Sequence, residues 1–152
     1  MHTVTKSYRD FPAAHRQPDH EGHCSLIHGH NWGWDITFTA RRLDACGFIV
    51  DVGKLGMIKL FLTENFDHTL LLNETDPHLA TLHEMLFANI VRVPNCGMEG
   101  LAEYVYHGVT EIINKSDEYQ DRGVRVLRVV CWEDSKNCAT FDTNRDNFLP
   151  QA

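Results

Sequence analysis

Five of the chain's ten histidines fall between residues 15 and 30, in the stretch from Phe11-Pro-Ala-Ala-His15 through His20 and His23 to Cys24-Ser-Leu-Ile-His28-Gly-His30. Imidazoles gathered in this way are a common means of holding a metal ion. Three of them leave a position open for chemistry, whereas a structural zinc site closes with four protein ligands. His28 and His30 are two residues apart, so an extended backbone puts both on one side. Gly29 between them permits close backbone approach. A third ligand must come from elsewhere, and His15 is the best placed. His20 and His23 read equally well as surface residues or as charged neighbours of Cys24. A thiolate is the reactive form of cysteine, and nearby positive charge from His23 or a zinc ion favours it. In a loop with Gly22 and Ser25, between ligands, Cys24 reads as reactive rather than as a small buried residue.

Two further acidic positions belong to this chemistry. In Asp67-His68 a carboxylate can orient an imidazole and raise its basicity, although adjacent residues need not touch. Glu133 ends an apolar strand whose face carries Leu127, Val129 and Cys131. A carboxylate facing a pocket there needs paired N–H donors, such as the amino-imino edge of a heterocycle. Trp32, Trp34 and Trp132 read as core or interface. His83-Glu84 opens like a metalloprotease motif, but Phe87 stands where the second histidine belongs, which excludes that reading.

The elements that must position these groups follow from periodicity. Residues 2–9 read as a strand entering the site. Residues 31–41 alternate, with Trp32, Trp34, Ile36, Phe38 and Ala40 on one face, as in a half-buried strand. Residues 47–51 read as a short apolar strand, with Asp51 capping a helix over 52–65 striped by Leu55, Ile58 and Leu62. Residues 65–73 read as a loop carrying Asp67 and His68. Helices are expected over 77–91 and 99–114, the first broken by Pro94 and Gly97, the second striped by Leu101, Val105, Val109 and Ile112. Two strands, 124–133 and 137–143, join through a turn at Asp134-Ser135-Lys136-Asn137. Paired strands flanking helices predict an α+β domain with an antiparallel sheet.

The whole chain is consistent with this. Its 152 residues fit one domain, 1–152, able to bury a core without staples. A hydrophobic share of 43% argues against disorder. No apolar run is long enough to span a bilayer, and Met1 to Asp10 is too polar for a secretory signal. The five cysteines, Cys24, Cys46, Cys96, Cys131 and Cys138, are an odd set without framework spacing, and read as reduced thiols of a cytoplasmic protein. A net charge of −7 speaks against a nucleic-acid surface but leaves room for an anionic small substrate in a locally basic pocket.

Together these residues resemble the 6-pyruvoyl tetrahydropterin synthase superfamily, whose bacterial branch includes 6-carboxy-tetrahydropterin synthase of the queuosine pathway. Phe11 to His15 is similar to the family's first-ligand motif, and Cys24 to His30 has its cysteine-to-ligand spacing. Gly47 to Asp51 resembles the segment before its long helix, Asp67-His68 its Asp-His pair, and Glu133 its substrate-anchoring glutamate. The resemblance implies the tunnelling fold, a four-stranded antiparallel sheet with helices on one face, assembled edge to edge into trimers or dimers of trimers. It implies zinc on His15, His28 and His30, and 7,8-dihydroneopterin triphosphate as substrate. Catalysis would fall to Cys24, Asp67 and His68, with the last two serving a neighbouring subunit. Glu133 would hold the pterin. The carboxy branch is expected, with the pyruvoyl synthase, an aldolase-like activity and a non-catalytic pterin binder as alternatives. Two features depart from the family pattern. Before the second long helix stands Cys96-Gly97-Met98-Glu99, in which Glu99 matches as a substrate-binding residue but the usual hydroxyls are absent. The segment around 74–95 is extra.

Overall fold

The strand expected over residues 2–9 extends much further. In the structure, a computed structural model that describes residues 1–143, β1 runs Thr3–His15 and delivers His15 at its end. It pairs antiparallel with β2 (His28–Thr39), and their ends meet at His15 opposite His28. A bulge interrupts the pairing between Tyr8 and Phe11. There Arg9 and Asp10 together face Gly33, and Asp10 adopts a positive φ of 69°. Side chains of a strand alternate between faces, so one extra residue inverts everything beyond it. Val4, Lys6 and Tyr8 turn inward before the bulge; Phe11, Ala13 and His15 turn inward after it. The bulge therefore places His15 on the same face as the histidines of β2. Gly33 accommodates it, because a Cβ there would stand 2.8 Å from Arg9 Cδ and 3.1 Å from the Tyr8 carbonyl.

The expected four antiparallel strands are all present, side by side as β1, β2, β5 (Arg125–Trp132) and β6 (Cys138–Asp142). The sheet is nevertheless six-stranded and mixed. Two short strands, β3 (Thr69–Asn73) and β4 (Ile90–Val93), continue it in parallel beyond the His15 end of β1. Both correct the sequence reading. Thr69–Asn73 was expected as loop, but it is buried throughout between β1 and β4, the place of an unalternating apolar run. The helix expected over 77–91 shrinks to α2 (Leu79–His83), which buries none of its residues. Its would-be stripe has nothing to pack on, and Leu86 is 90% exposed. The β-branched run Ile90-Val91-Arg92-Val93 instead takes the free edge of β3.

Helices pack on one face of the sheet. α1 (Gly56–Phe66) buries Ile58, Leu62 and Phe66, starting later than expected. Asp51 is not its cap, since its Oδ1 accepts from Gly53 N in a separate turn. Residues 47–51 form no strand either: Asp44 Oδ1 accepts from Phe48 N, and Arg122 Nη1 donates to the Phe48 carbonyl. α3 (Met98–Asn114) buries Leu101, Ala102, Val105, Val109 and Ile113, close to the expected stripe. An unanticipated α4 (Asp117–Arg122) follows, capped by Ser116 and ended by Gly123 at φ 65°. Trp32, Trp34, Ile36 and Phe38 are fully buried beneath these helices. Trp34 sits between Phe11 and Phe66, with ring centroids 5.5 and 4.3 Å away. Truncating a ring so enclosed costs about 3–5 kcal/mol.

Candidate metal centre

His15, His28 and His30 converge. Their ligand nitrogens lie within 4.8 Å of one another, and among the described residues these three form the group able to hold an ion. His15 is buried; the other two are partly exposed. The approach is enforced from outside. His15 Nδ1 lies 2.7 Å from the Cys96 carbonyl, and His28 Nδ1 lies 2.8 Å from the Leu26 carbonyl. A carbonyl can only accept, so both Nδ1 atoms carry the proton and donate. Each ring then turns its Nε2 inward, and those two nitrogens stand 3.1 Å apart. With Nδ1 protonated on both, their lone pairs face each other unless a cation, proton or metal, lies between them. His30 Nε2 is buried and makes no hydrogen bond; Glu133 Oε1 lies 3.3 Å from it and 3.7 Å from His15 Nε2. Nitrogens bound at 2.0–2.1 Å to a tetrahedral zinc stand roughly 3.3–3.4 Å apart, close to the His15–His28 separation. The donor set thus fits a zinc-like ion: three imidazole nitrogens, two with fixed tautomers, beside a carboxylate.

Burial pushes the pKa of His15 down to about 4, and the charges of His28 and His30 push the same way against the Cys96 hydrogen bond. His15 is therefore neutral near neutral pH, the form that ligates. Trp32 closes the floor of the cluster, its ring edge-on to His15 and His30 at 5.0 and 5.4 Å. The alternation His28, His30, Trp32 already implied that neighbour. The carbonyls of Leu26 and Cys96 carry no such signal, because any residue type supplies a carbonyl.

The remaining candidates are distributed around the centre. Cys24 lies in a single 3₁₀ turn (His23–Ser25), half-buried, its carbonyl accepting from Gln17 N at 2.8 Å. It is not part of the three-histidine group. His20 and His23 are exposed, and His20 Nδ1 accepts from Gly22 N within the loop. Asp67 and His68 do touch: His68 Nδ1 donates to Asp67 Oδ1 at 2.6 Å. His68 adopts a positive φ of 57° and gives its backbone N–H to the Pro12 carbonyl. Its side chain is 83% exposed. It borders an open cavity of about 510 Å³ whose lining includes Pro12, Ala14, Gly29 and Asn31. The same lining also takes in Ala13, His30 and Thr69; it is the register that pairs Thr69 with Ala13 that sets His68 in step with Pro12, on the face that alternates away from Ala13, His15, His28 and His30.

Glu133 follows β5, and the turn after it is the expected one: Asp134 Oδ1 accepts from Lys136 N and Asn137 N. Glu99 lies in the first turn of α3 and lines a separate cavity of about 570 Å³ with Asn95, Glu103, Tyr104, His107 and Phe141. The two glutamates flank one patch of sheet: burial, then Glu133, then Glu99, drive the Cys131 thiol far above its ordinary range. Cys96 presents no side chain to solvent. It is buried, with its thiol directed to the Arg16 carbonyl at 3.0 Å.

Comparison with known proteins places this arrangement. A family model described as 6-pyruvoyl tetrahydropterin synthase matches residues 3–144. The chain belongs to that family. Among curated relatives, the 6-carboxy-5,6,7,8-tetrahydropterin synthase of Rickettsia typhi is 35% identical over 71 residues, 46% of this chain and 51% of the relative. The chain thus spans about half the length of the curated relatives it matches. A solved structure of an uncharacterized protein from Wolinella succinogenes superposes with a TM-score of 0.78 at 20% identity, covering 93% of this chain and 98% of the other. The 6-pyruvoyl tetrahydropterin synthase of Plasmodium vivax gives a TM-score of 0.66 at 14% identity, over 93% and 98% of the two chains. These likenesses establish the tunnelling fold of the family. No helix among the described residues is long and apolar enough to cross a membrane.

Proposed function

We propose that this chain is a zinc-dependent pterin lyase, and specifically a 6-carboxy-tetrahydropterin synthase acting on 7,8-dihydroneopterin triphosphate. The observation that carries this reading is the convergence of two Nε2 atoms at 3.1 Å with both Nδ1 atoms tied to carbonyls. That arrangement calls for a cation, and His15, His28 and His30 would hold it. A zinc ion so held supplies Lewis acidity to the hydroxyls of a bound side chain. The names of the curated relatives support the carboxy branch over the pyruvoyl one.

The chain's own groups divide the remaining work. Cys24 moves the proton at the substrate's side-chain carbon. Asp67 holds His68 in the Nδ1–H form, which leaves Nε2 free at the surface to exchange a proton. Because this pair is on the far face of the sheet from its own chain's cluster, it serves the Cys24 of a neighbouring subunit. The assembly is a trimer or dimer of trimers, in which joined sheet edges lose their unpaired backbone groups. Glu133 accepts the paired N–H edge of the pterin ring, and Glu99 adds a second acceptor. One water is consumed, and triphosphate and acetaldehyde leave. The chain acts as one domain, 1–152, in the cytoplasm, feeding queuosine or a related deazapurine route.

Incubating the zinc-loaded protein with dihydroneopterin triphosphate and weighing the products tests this. Carboxy-tetrahydropterin with acetaldehyde is expected. A pyruvoyl product moves the assignment to the other branch, and no turnover at full zinc occupancy makes the chain a binder.

A further inference from the structure

The segment that stands in place of the family's hydroxyls braces His15 from behind. The Cys96 carbonyl accepts from His15 Nδ1 at 2.7 Å and its thiol donates to the Arg16 carbonyl at 3.0 Å, so Cys96 grips His15 and its chain neighbour together. The peptide bearing that carbonyl is fixed at its other end, where Gly97 N donates to Asn95 Oδ1 at 2.8 Å. The preceding peptide is held by one side chain from another strand. Asn73, the last residue of β3 and itself buried, accepts from Cys96 N at 2.7 Å. Its Nδ2 reaches Gln17 Oε1 at 3.5 Å, at the outer limit of a hydrogen bond. Behind this lies Asp76, its side chain fully enclosed, with Oδ2 3.2 Å from Arg16 Nε and its backbone N–H on the Asn73 carbonyl. The two ends of the 74–95 segment thus converge on the backbone around His15.

We propose that Asn73 is a positioning residue for the metal ligand His15, acting through the carbonyl of Cys96. The inference rests on the metal reading above and extends it. Without the Asn73 carboxamide, Cys96 N–H loses its partner in a buried place, and the 95–97 turn is free to rotate its carbonyl off Nδ1. His15 then loses both its fixed tautomer and its ring orientation. Orienting partners of this kind set metal affinity strongly, about 10- to 100-fold on removal.

The test compares wild type, Asn73→Ala and Asn73→Asp, all stripped of metal. Zinc affinity is read by competition with a chromophoric chelator, geometry by the d–d spectrum of added cobalt(II), and fold by the melting of the metal-free forms. Asn73→Ala is expected to weaken zinc about 10- to 100-fold and alter the cobalt spectrum. Asn73→Asp keeps an oxygen facing Cys96 N–H and is expected to restore most of the affinity. An unmoved zinc constant and cobalt spectrum in Asn73→Ala, even with a lowered melting temperature, would make Asn73 merely structural and overturn the proposal. Should Asn73→Ala fail to fold, nitrogen-15 NMR of wild type decides: a slowly exchanging His15 Nδ1–H is expected, and the Nε2–H tautomer overturns it. If wild type itself binds no zinc at these histidines, the metal reading falls and takes this one with it. If wild type binds and Asn73→Ala binds equally, only the positioning role is lost.

Discussion

The two faces of the sheet at the His15 end of β1 hold imidazoles under opposite conditions. On the helix side, His15 and His28 are tied at Nδ1 to main-chain carbonyls, and His15 is buried against Trp32. On the far side, the ring of His68 is tied to its neighbour Asp67 and its side chain is 83% exposed. The first group is organised before any ligand arrives. The second is oriented by its carboxylate but open to solvent. A binding centre gains from rigidity within one chain, whereas a site shared between subunits can be completed only at their interface.

The largest expected effect breaks the inner face. His28→Ala should reduce zinc from about one ion per chain to a trace by elemental analysis, because two imidazoles rarely retain it. Full occupancy in that variant would remove His28 from the ligand set. Next, Cys24→Ala should leave zinc in place while turnover drops by about 10²- to 10⁴-fold, the usual scale for a lost proton-transfer group. Normal turnover would make the thiol structural.

The contrast between faces is sharpened by mixing. Cys24→Ala and His68→Ala chains, each expected to be impaired alone, should recover part of the wild-type rate when refolded together, since some interfaces then pair an intact Cys24 with an intact His68. Absence of recovery in verified mixed oligomers would put both residues in one chain's site. Glu133→Gln should raise KM about tenfold or more with zinc retained, matching the loss of a charged hydrogen-bond acceptor. Unchanged Michaelis behaviour would take Glu133 out of the pocket.

The smallest effect concerns the outer face of β2. Asp35 accepts from Ser7, Arg9 and Trp132 at 2.6, 2.6 and 2.7 Å, stitching β1, β2 and β5. Burial opposes its charge, but these donors outweigh it and hold its carboxyl below the ordinary value of 3.8. A depressed carboxyl stabilises the fold above its unfolded pKa and ceases to do so as pH falls through the folded one. Asp35→Asn should therefore melt lower at neutral pH, by about 1 kcal/mol or roughly 3 °C, with the difference from wild type fading as pH falls through the depressed folded pKa of Asp35. A constant difference across that range would assign the loss to packing.

Much of the site was legible because its signals are local. His28, His30 and Trp32 share a face by alternation, and Asp134 announces its turn. The strands β3 and β4 were not legible. Thr69–Asn73 has no alternation to read, being buried on both sides, and Ile90–Val93 sits at the end of a run with helical spacing. Each became a strand because a neighbouring edge offered backbone partners, which is a long-range fact.

The sequence by itself determined the residue types of the candidate cluster, the two-residue spacing that aligns His28 with His30, the helix stripes and the Asp-His pair, since each follows from covalent spacing and period. The tertiary structure decided three other things. The bulge at Arg9-Asp10 turned His15 to the same face as its partners. The folded-back 95–97 turn chose its tautomer. The sheet itself separated Asp67 and His68 from the cluster. All three depend on what lies across a strand or behind a ring, and residues distant in the chain settle that only once it has folded.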